Sequence, residues 1–216
     1  MADNYLESRY DELFGSGKKK VVVKHVGKNL DALLLQNRSC RGYNKERVIT
    51  PEELKKIVSV NTKLASGCNQ QVLRFRLVTK GEEAEKVLSH IRMGRSLPEL
   101  NLPFAGTEPE AFIVVCSIVS ENKLIDIDLG ISAQSMLLKA TEMGLNGLII
   151  AAFNKEVIRQ QLELPYDPIL VIAIGESAEK IKLVETDESE SHNYYRKDGV
   201  HFVPKIKSDQ LIIEKE

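Results

Sequence analysis

A chain of 216 residues and 24.3 kDa, 43% apolar and 28% charged, has the composition of one soluble globular domain. It is long enough to bury a core without disulfides or metals. Its 30 basic and 31 acidic residues leave a net charge of -1, which argues against a nucleic-acid partner and against a polybasic membrane anchor. The three cysteines (Cys40, Cys68, Cys116) are too few and odd in number for a disulfide framework. No signal peptide is visible and no run approaches the ~18 apolar residues of a membrane span, so the expectation is a cytoplasmic protein in a reducing compartment.

In chain order, residues 3–14 read as a short helix carrying Tyr5, Leu6, Tyr10 and Leu13, closed by Gly15-Ser16-Gly17. The pair Gly17-Lys18 lacks phosphate-loop spacing, and Lys19 stands where Ser or Thr is needed. Leu30, Leu33, Leu34 and Leu35 mark a helical cluster over 28–36. Thr50-Pro51-Glu52-Glu53 is a helix start with a capping box, and its apolar stripe continues to about Ala65. Residues 72–79 alternate as a strand, 82–93 read as a helix, and 94–109, rich in Gly and Pro, form a long loop.

The nearly continuous apolar run 111–118 predicts a buried strand. Leu129, Ala133, Met136, Leu137, Ala140 and Met143 place a helix over 126–143, stopped by Gly144. Ser132 sits inside that helix and reads as structural, because the second glycine of a nucleophile elbow is missing. A strand at 147–152, a helix at 154–163 and a strand at 168–175 follow. The acidic stretch 185–193 reads as a linker, and the alternating, finally apolar stretch 200–213 as a strand suited to pairing far from its neighbours, with another subunit as a candidate. This divides the chain into an N-terminal extension (1–27), a core (28–184) and a C-terminal arm (185–216). His25, His90, His192 and His201 have no metal-ligand spacing.

Two segments carry candidate chemistry. Asn37-Arg38-Ser39-Cys40-Arg41 directly follows a helix, and two guanidinium groups with a hydroxyl can clamp a phosphate or form a solvated turn. Asn69-Gln70-Gln71 sets three amides between a helix end and a strand. Such amides suit the mixed hydrogen-bonding edge of a neutral heterocycle, and equally an ordinary polar loop.

Together these segments resemble the nitroreductase family of FMN-dependent oxidoreductases, whose members carry an R-R-S-x-R segment and, later, an S-x-x-N-x-Q-P-W-R-F-like segment. Here the latter reads Ser66-Gly67-Cys68-Asn69-Gln70-Gln71-Val72-Leu73-Arg74-Phe75. The likeness continues through Asp128–Leu138, Gly144–Asn154, Leu162–Gly175 and Pro204–Lys207 with Leu211–Ile213. The sequence departs from the family pattern at Asn37, at Val72-Leu73, at Ala151-Ala152 where a glycine-containing turn is usual, and at Ile206.

The resemblance implies an α+β fold: a central, mainly antiparallel sheet flanked by helices, with the C-terminal arm exchanged in a homodimer. It implies FMN at a site shared by two chains. Arg38, Ser39 and Arg41 would bind the FMN phosphate and polar edge, Asn69 and Gln71 the ring system, Ala151 and Ala152 the ring through backbone N–H groups, and Lys205 and Lys207 the phosphate. The implied activity passes hydride from NAD(P)H through FMN to nitroaromatic, quinone or similar electrophilic acceptors in a ping-pong cycle, with no catalytic side chain of its own. A flavin-binding protein for storage or sensing, or a flavin-dependent dehydrogenase or dehalogenase, would share the fold.

Overall fold

A computed structural model describes residues 28–94 and 100–214. The predicted helix over 3–14, the Val21–Val23 piece and part of the 94–109 loop lie outside the described residues.

Four strands form an antiparallel sheet in the order β1-β2-β4-β3: β1 (Leu73–Val78), β2 (Phe112–Ser117), β3 (Asn146–Ile150) and β4 (Asp167–Gly175). β2 and β4 are central. All six residues of β2 and all but the first of β4 are buried, which is why both read as unbroken apolar runs and not as half-exposed alternation. Alternate side chains feed two cores. Ile113, Val115, Ile172 and Ile174 face α2 (Pro51–Val58) and α4 (Lys123–Glu142), meeting Leu54, Ile57, Met136, Leu137 and Ala140. Phe112, Val114, Val171 and Ala173 face α3 (Glu82–Ser89) and α5 (Lys155–Gln161), meeting Val87, Ile158 and Leu162. This is the expected α+β architecture, an antiparallel sheet with helices on both sides.

Local chemistry explains the boundaries. Thr50 and Glu53 form the expected reciprocal cap of α2, which is α-helical to Val58 and then tightens to a 3-10 turn over Ser59–Lys63. The predicted helix over 82–93 stops at Ser89. Beyond it Ile91 bridges to Phe153, and the Arg92 N–H donates to the Ala152 carbonyl at 2.9 Å, so strand-like pairing wins over another helical turn. The long helix starts at Lys123, three residues before the predicted start at 126, because the Asn122 side chain accepts from the N–H groups of Leu124 and Ile125. Among the described residues no helix is long and apolar enough to cross a membrane.

The C-terminal part builds a second, three-stranded sheet in the order β5-β7-β6: β5 (Lys180–Thr186), β6 (Tyr195–Lys197) and β7 (Val200–Ile206), with β5 and β7 parallel. The stretch expected to seek distant partners thus pairs within its own chain, because β5 continues through Thr186 and supplies an edge for it. The strand ends at Ile206. Leu211, expected with Ile212 and Ile213 to continue it, ends a short 3-10 turn (Ser208–Leu211), and all three are exposed.

Met136 is fully buried between the sheet and α2. Met136→Ala should cost about 2–5 kcal/mol of unfolding free energy, measured by chemical denaturation.

Candidate functional site

The first candidate segment is held against the edge of the main sheet. α1 (Leu30–Gln36) is capped by Asn29 and followed by Asn37–Tyr43, of which Arg38–Cys40 runs along β3. Asn146 clamps it from both sides: its Oδ1 accepts from the Arg38 N–H at 3.1 Å, and its Nδ2 donates to the Gln36 carbonyl at 2.9 Å. Ser39 bridges to Gly147, whose carbonyl accepts from the Cys40 N–H at 3.0 Å. Gly147 is a steric requirement, since a Cβ there would lie 2.4 Å from the Ala173 carbonyl oxygen and 2.6 Å from Leu137 Cδ2. Farther along, the Tyr43 hydroxyl donates to the Cys40 carbonyl at 2.8 Å, and the Arg41 N–H donates to Glu179 at 2.5 Å.

This anchoring opens a cavity of about 290 Å³ between the segment, α4 and the small sheet. Arg38, Ser39 and Arg41 line it together with Lys205, four of the nine expected residues, and folding brings Lys205 of β7 to the three that share one segment. Asn37, Gln134, Tyr194 and His201 complete its polar wall. The Arg41 guanidinium lies 4.8 Å over the Tyr194 ring, which stacks on His201 at 5.1 Å. Burial lowers the pKa of Arg38 from its ordinary value. The Nε atoms of Arg38 and Arg41 and the Asn37 Nδ2 are buried and have no hydrogen-bond partner among the described residues.

The amide segment lines a different, larger cavity of about 550 Å³. Gln71 is on its wall with Ser66, Arg74, Phe75, Asn61, Asp128 and Ser132. Asn69 is off that wall but accepts from Gln71 Nε2 at 3.0 Å. Three non-glycine residues here, Cys68, Asn69 and Gln71, have positive φ of 49°, 54° and 49°. Each such left-handed residue costs on the order of 1 kcal/mol or more. Buried Asp128 holds the strained turn, accepting from the Ser66 hydroxyl at 2.7 Å and the Gly67 N–H at 2.8 Å. Ser132, read as structural, donates to Asn61 at 2.5 Å.

The remaining expected residues stand apart from both cavities. Ala151 and Ala152 are exposed between β3 and α5, tied through the Ala152 carbonyl to Arg92. Lys207 pairs with Asp187 at 2.9 Å and does not line the cavity that Lys205 reaches. Sequence reasoning missed Asp128, Tyr194, His201 and Gln134. The last three carried no local signal, while Asp128, a carboxylate on the core-facing stripe of a helix, was a detectable anomaly. Among the described residues no three His, Cys, Asp or Glu side chains gather as a metal site.

An α+β domain with a cationic cavity beside its sheet edge and a strained amide turn at a second cavity is the class of protein these features define. The sequence profile described as "Nitroreductase family" matches residues 34–176, two thirds of the chain, and the chain belongs to that family. Solved structures agree on the fold. A nitroreductase family protein from Clostridium difficile 630 is 26% identical with a TM-score of 0.55, covering 70% of this chain and 86% of its own. One from Streptococcus pneumoniae TIGR4 is 16% identical with a TM-score of 0.61, covering 87% and 100%. A mutant of an FMN and NADPH-dependent nitroreductase from a sphigopyxis strain is 17% identical with a TM-score of 0.59, covering 70% and 89%. No curated protein sequence matches the chain.

Two measurements check this geometry. Gly147→Ala should destabilise by about 1–3 kcal/mol, read as a lowered denaturation midpoint, through overpacking against the sheet. Burial pushes the Cys40 thiol up to about 12 and the Cys116 thiol to about 11, whereas Cys68 is exposed. A thiol reagent at about pH 8 should therefore label one cysteine in the native chain and all three after denaturation, since thiolate is the reactive form.

Proposed function

We propose that this chain is an FMN-dependent oxidoreductase that passes hydride from NADH or NADPH to nitroaromatic, quinone or similar electrophilic acceptors in a ping-pong cycle. The observation that carries the reading is the cavity lined by Arg38, Ser39, Arg41 and Lys205, three cations and a hydroxyl. Guanidinium and ammonium donors around a pocket are the chemistry that binds a phosphate dianion. The buried, unpartnered Nε atoms of Arg38 and Arg41 fit such a ligand, because an anion's oxygens satisfy donors that the chain leaves open. Family membership and the relative described as FMN and NADPH-dependent support the same cofactor.

When bound, FMN supplies the hydride chemistry that no side chain here can perform. The residues supply binding and orientation. Arg38, Ser39, Arg41 and Lys205 hold the phosphate. Asn69 and Gln71 offer amides to the ring's polar edge from a turn whose conformation Asp128 maintains, so these donors arrive preorganised. Ala151 and Ala152 would contribute backbone N–H groups, and Lys207 a second ammonium once released from Asp187.

The proposed site uses two chains. Gln71 and the phosphate-binding group line separate cavities of one chain, which supports a site completed by a second copy. α1 and α4 expose Leu30, Leu34, Leu35, Ile127 and Ile131, an apolar face that a homodimer would cover. The exposed Leu211–Ile213 are free to cross to the partner as an arm.

The visible spectrum tests the reading. The purified protein should be yellow, bleach with NADH or NADPH without oxygen, and recover its colour on addition of a nitroaromatic or quinone. Colourless protein that takes up no added FMN would refute the cofactor, and bound FMN that neither nicotinamide bleaches would make the protein a flavin store or sensor. Lys205→Ala should weaken FMN binding roughly tenfold with little change in melting temperature, since the lysine is exposed. Size-exclusion with light scattering should give twice 24.3 kDa.

A further inference from the structure

The phosphate cavity contains a histidine that the reading above leaves unused. His201 lies on β7, with Val203 and Lys205 at alternate positions, so all three present one face of the strand to the cavity. Its side chain is 1% exposed, yet Nδ1 has no hydrogen-bond partner among the described residues. A buried imidazole nitrogen without a partner is unfavourable unless a ligand satisfies it. The ring is held in place by its stack on Tyr194.

Cations outnumber anions around it. In the small sheet its neighbours are Ile181 on β5 and Arg196 on β6. Arg41 lies over Tyr194, and Arg38 and Lys205 line the same cavity. The nearby carboxylate, Glu179, is already engaged by the Arg196 side chain and by the Arg41 N–H. Burial, then Arg196 and Arg41, push the imidazole's pKa below its ordinary value, with Glu179 acting weakly the other way. A dianion in the cavity reverses that balance.

We propose that His201 is a further ligand of the cofactor's phosphate, beside Arg38, Arg41 and Lys205, and takes up a proton when the phosphate binds. The proposal rests on the FMN reading above. The sign follows from linkage: a ligand that raises the histidine's pKa binds more tightly as pH falls through the bound-state value, and loses that advantage above it. The phosphate's own titration near pH ~6 is common to wild type and variants and cancels in their ratio.

The test titrates flavin-free full-length chain with FMN, with riboflavin and with inorganic phosphate, in wild type, His201→Phe and His201→Asn. Phe keeps the ring stack, and Asn keeps a neutral donor should Phe perturb folding. His201→Phe should weaken FMN binding about tenfold near pH 6 and less than about threefold near pH 8.5, with riboflavin unchanged at both. Calorimetry in buffers of different ionisation heat should show more protons taken up on FMN binding by wild type than by either variant. Equal FMN affinity of wild type and both variants, an equal loss for riboflavin, or equal proton uptake in wild type and variants overturns the proposal. Phosphate binding that depends on His201, without any FMN binding, refutes the flavin reading and leaves His201 as ligand to a phosphate from another source. Binding of neither overturns both.

Discussion

The architecture of the site depends on one close approach: the Arg38–Cys40 stretch lying against the edge of β3. Gly147 lies at the contact, where its carbonyl accepts from the Cys40 N–H, and any larger residue there would meet the Ala173 carbonyl and Leu137. Asn146 enforces it with hydrogen bonds in both directions across more than a hundred residues of chain. With that contact, Arg38 and Arg41 are carried to the mouth of a cavity whose opposite wall is β7. Without it, two arginines and a serine would form an ordinary solvated turn.

The two cavities rest on buried polar anchors of different kinds. In the first, Glu179 accepts from the Arg41 backbone and pairs with Arg196, joining the small sheet to the arginine segment. In the second, Asp128 satisfies the Ser66 hydroxyl and the Gly67 N–H, which offsets the strain of three left-handed residues. Each anchor is a carboxylate whose burial is tolerable because hydrogen-bond donors surround it. Neither is itself a reactive group, which agrees with chemistry delegated to a bound cofactor.

The fold was largely legible, for reasons that differ by element. A nearly continuous apolar run marked β2, since a strand covered on both faces needs no polar alternation. Thr50-Pro51 and Glu53 marked a helix start, and the spacing of Ala133, Met136, Leu137 and Ala140 marked the face of α4 that meets the sheet. Misplaced ends came from competition between local and distant bonds. Residues 90–93 continue a helical pattern but pair with Phe153 and Ala152. The tail Leu211–Ile213 has strand composition yet no edge beside it, because β7 closes against β5 and β6 before reaching it.

Residue types and their order determined the secondary elements, the two chemical segments and the family resemblance, because capping, periodicity and short motifs are local properties of the chain. Which of those residues share a cavity was decided only by the tertiary structure. Arg38 and Lys205 are brought together by the β3 edge and the small sheet, while Lys207, two residues on, is drawn away by Asp187. His201 and Asp128 took on their meaning in the same way. A buried imidazole without a partner and a carboxylate holding a strained turn are facts about surroundings, which sequence spacing does not encode.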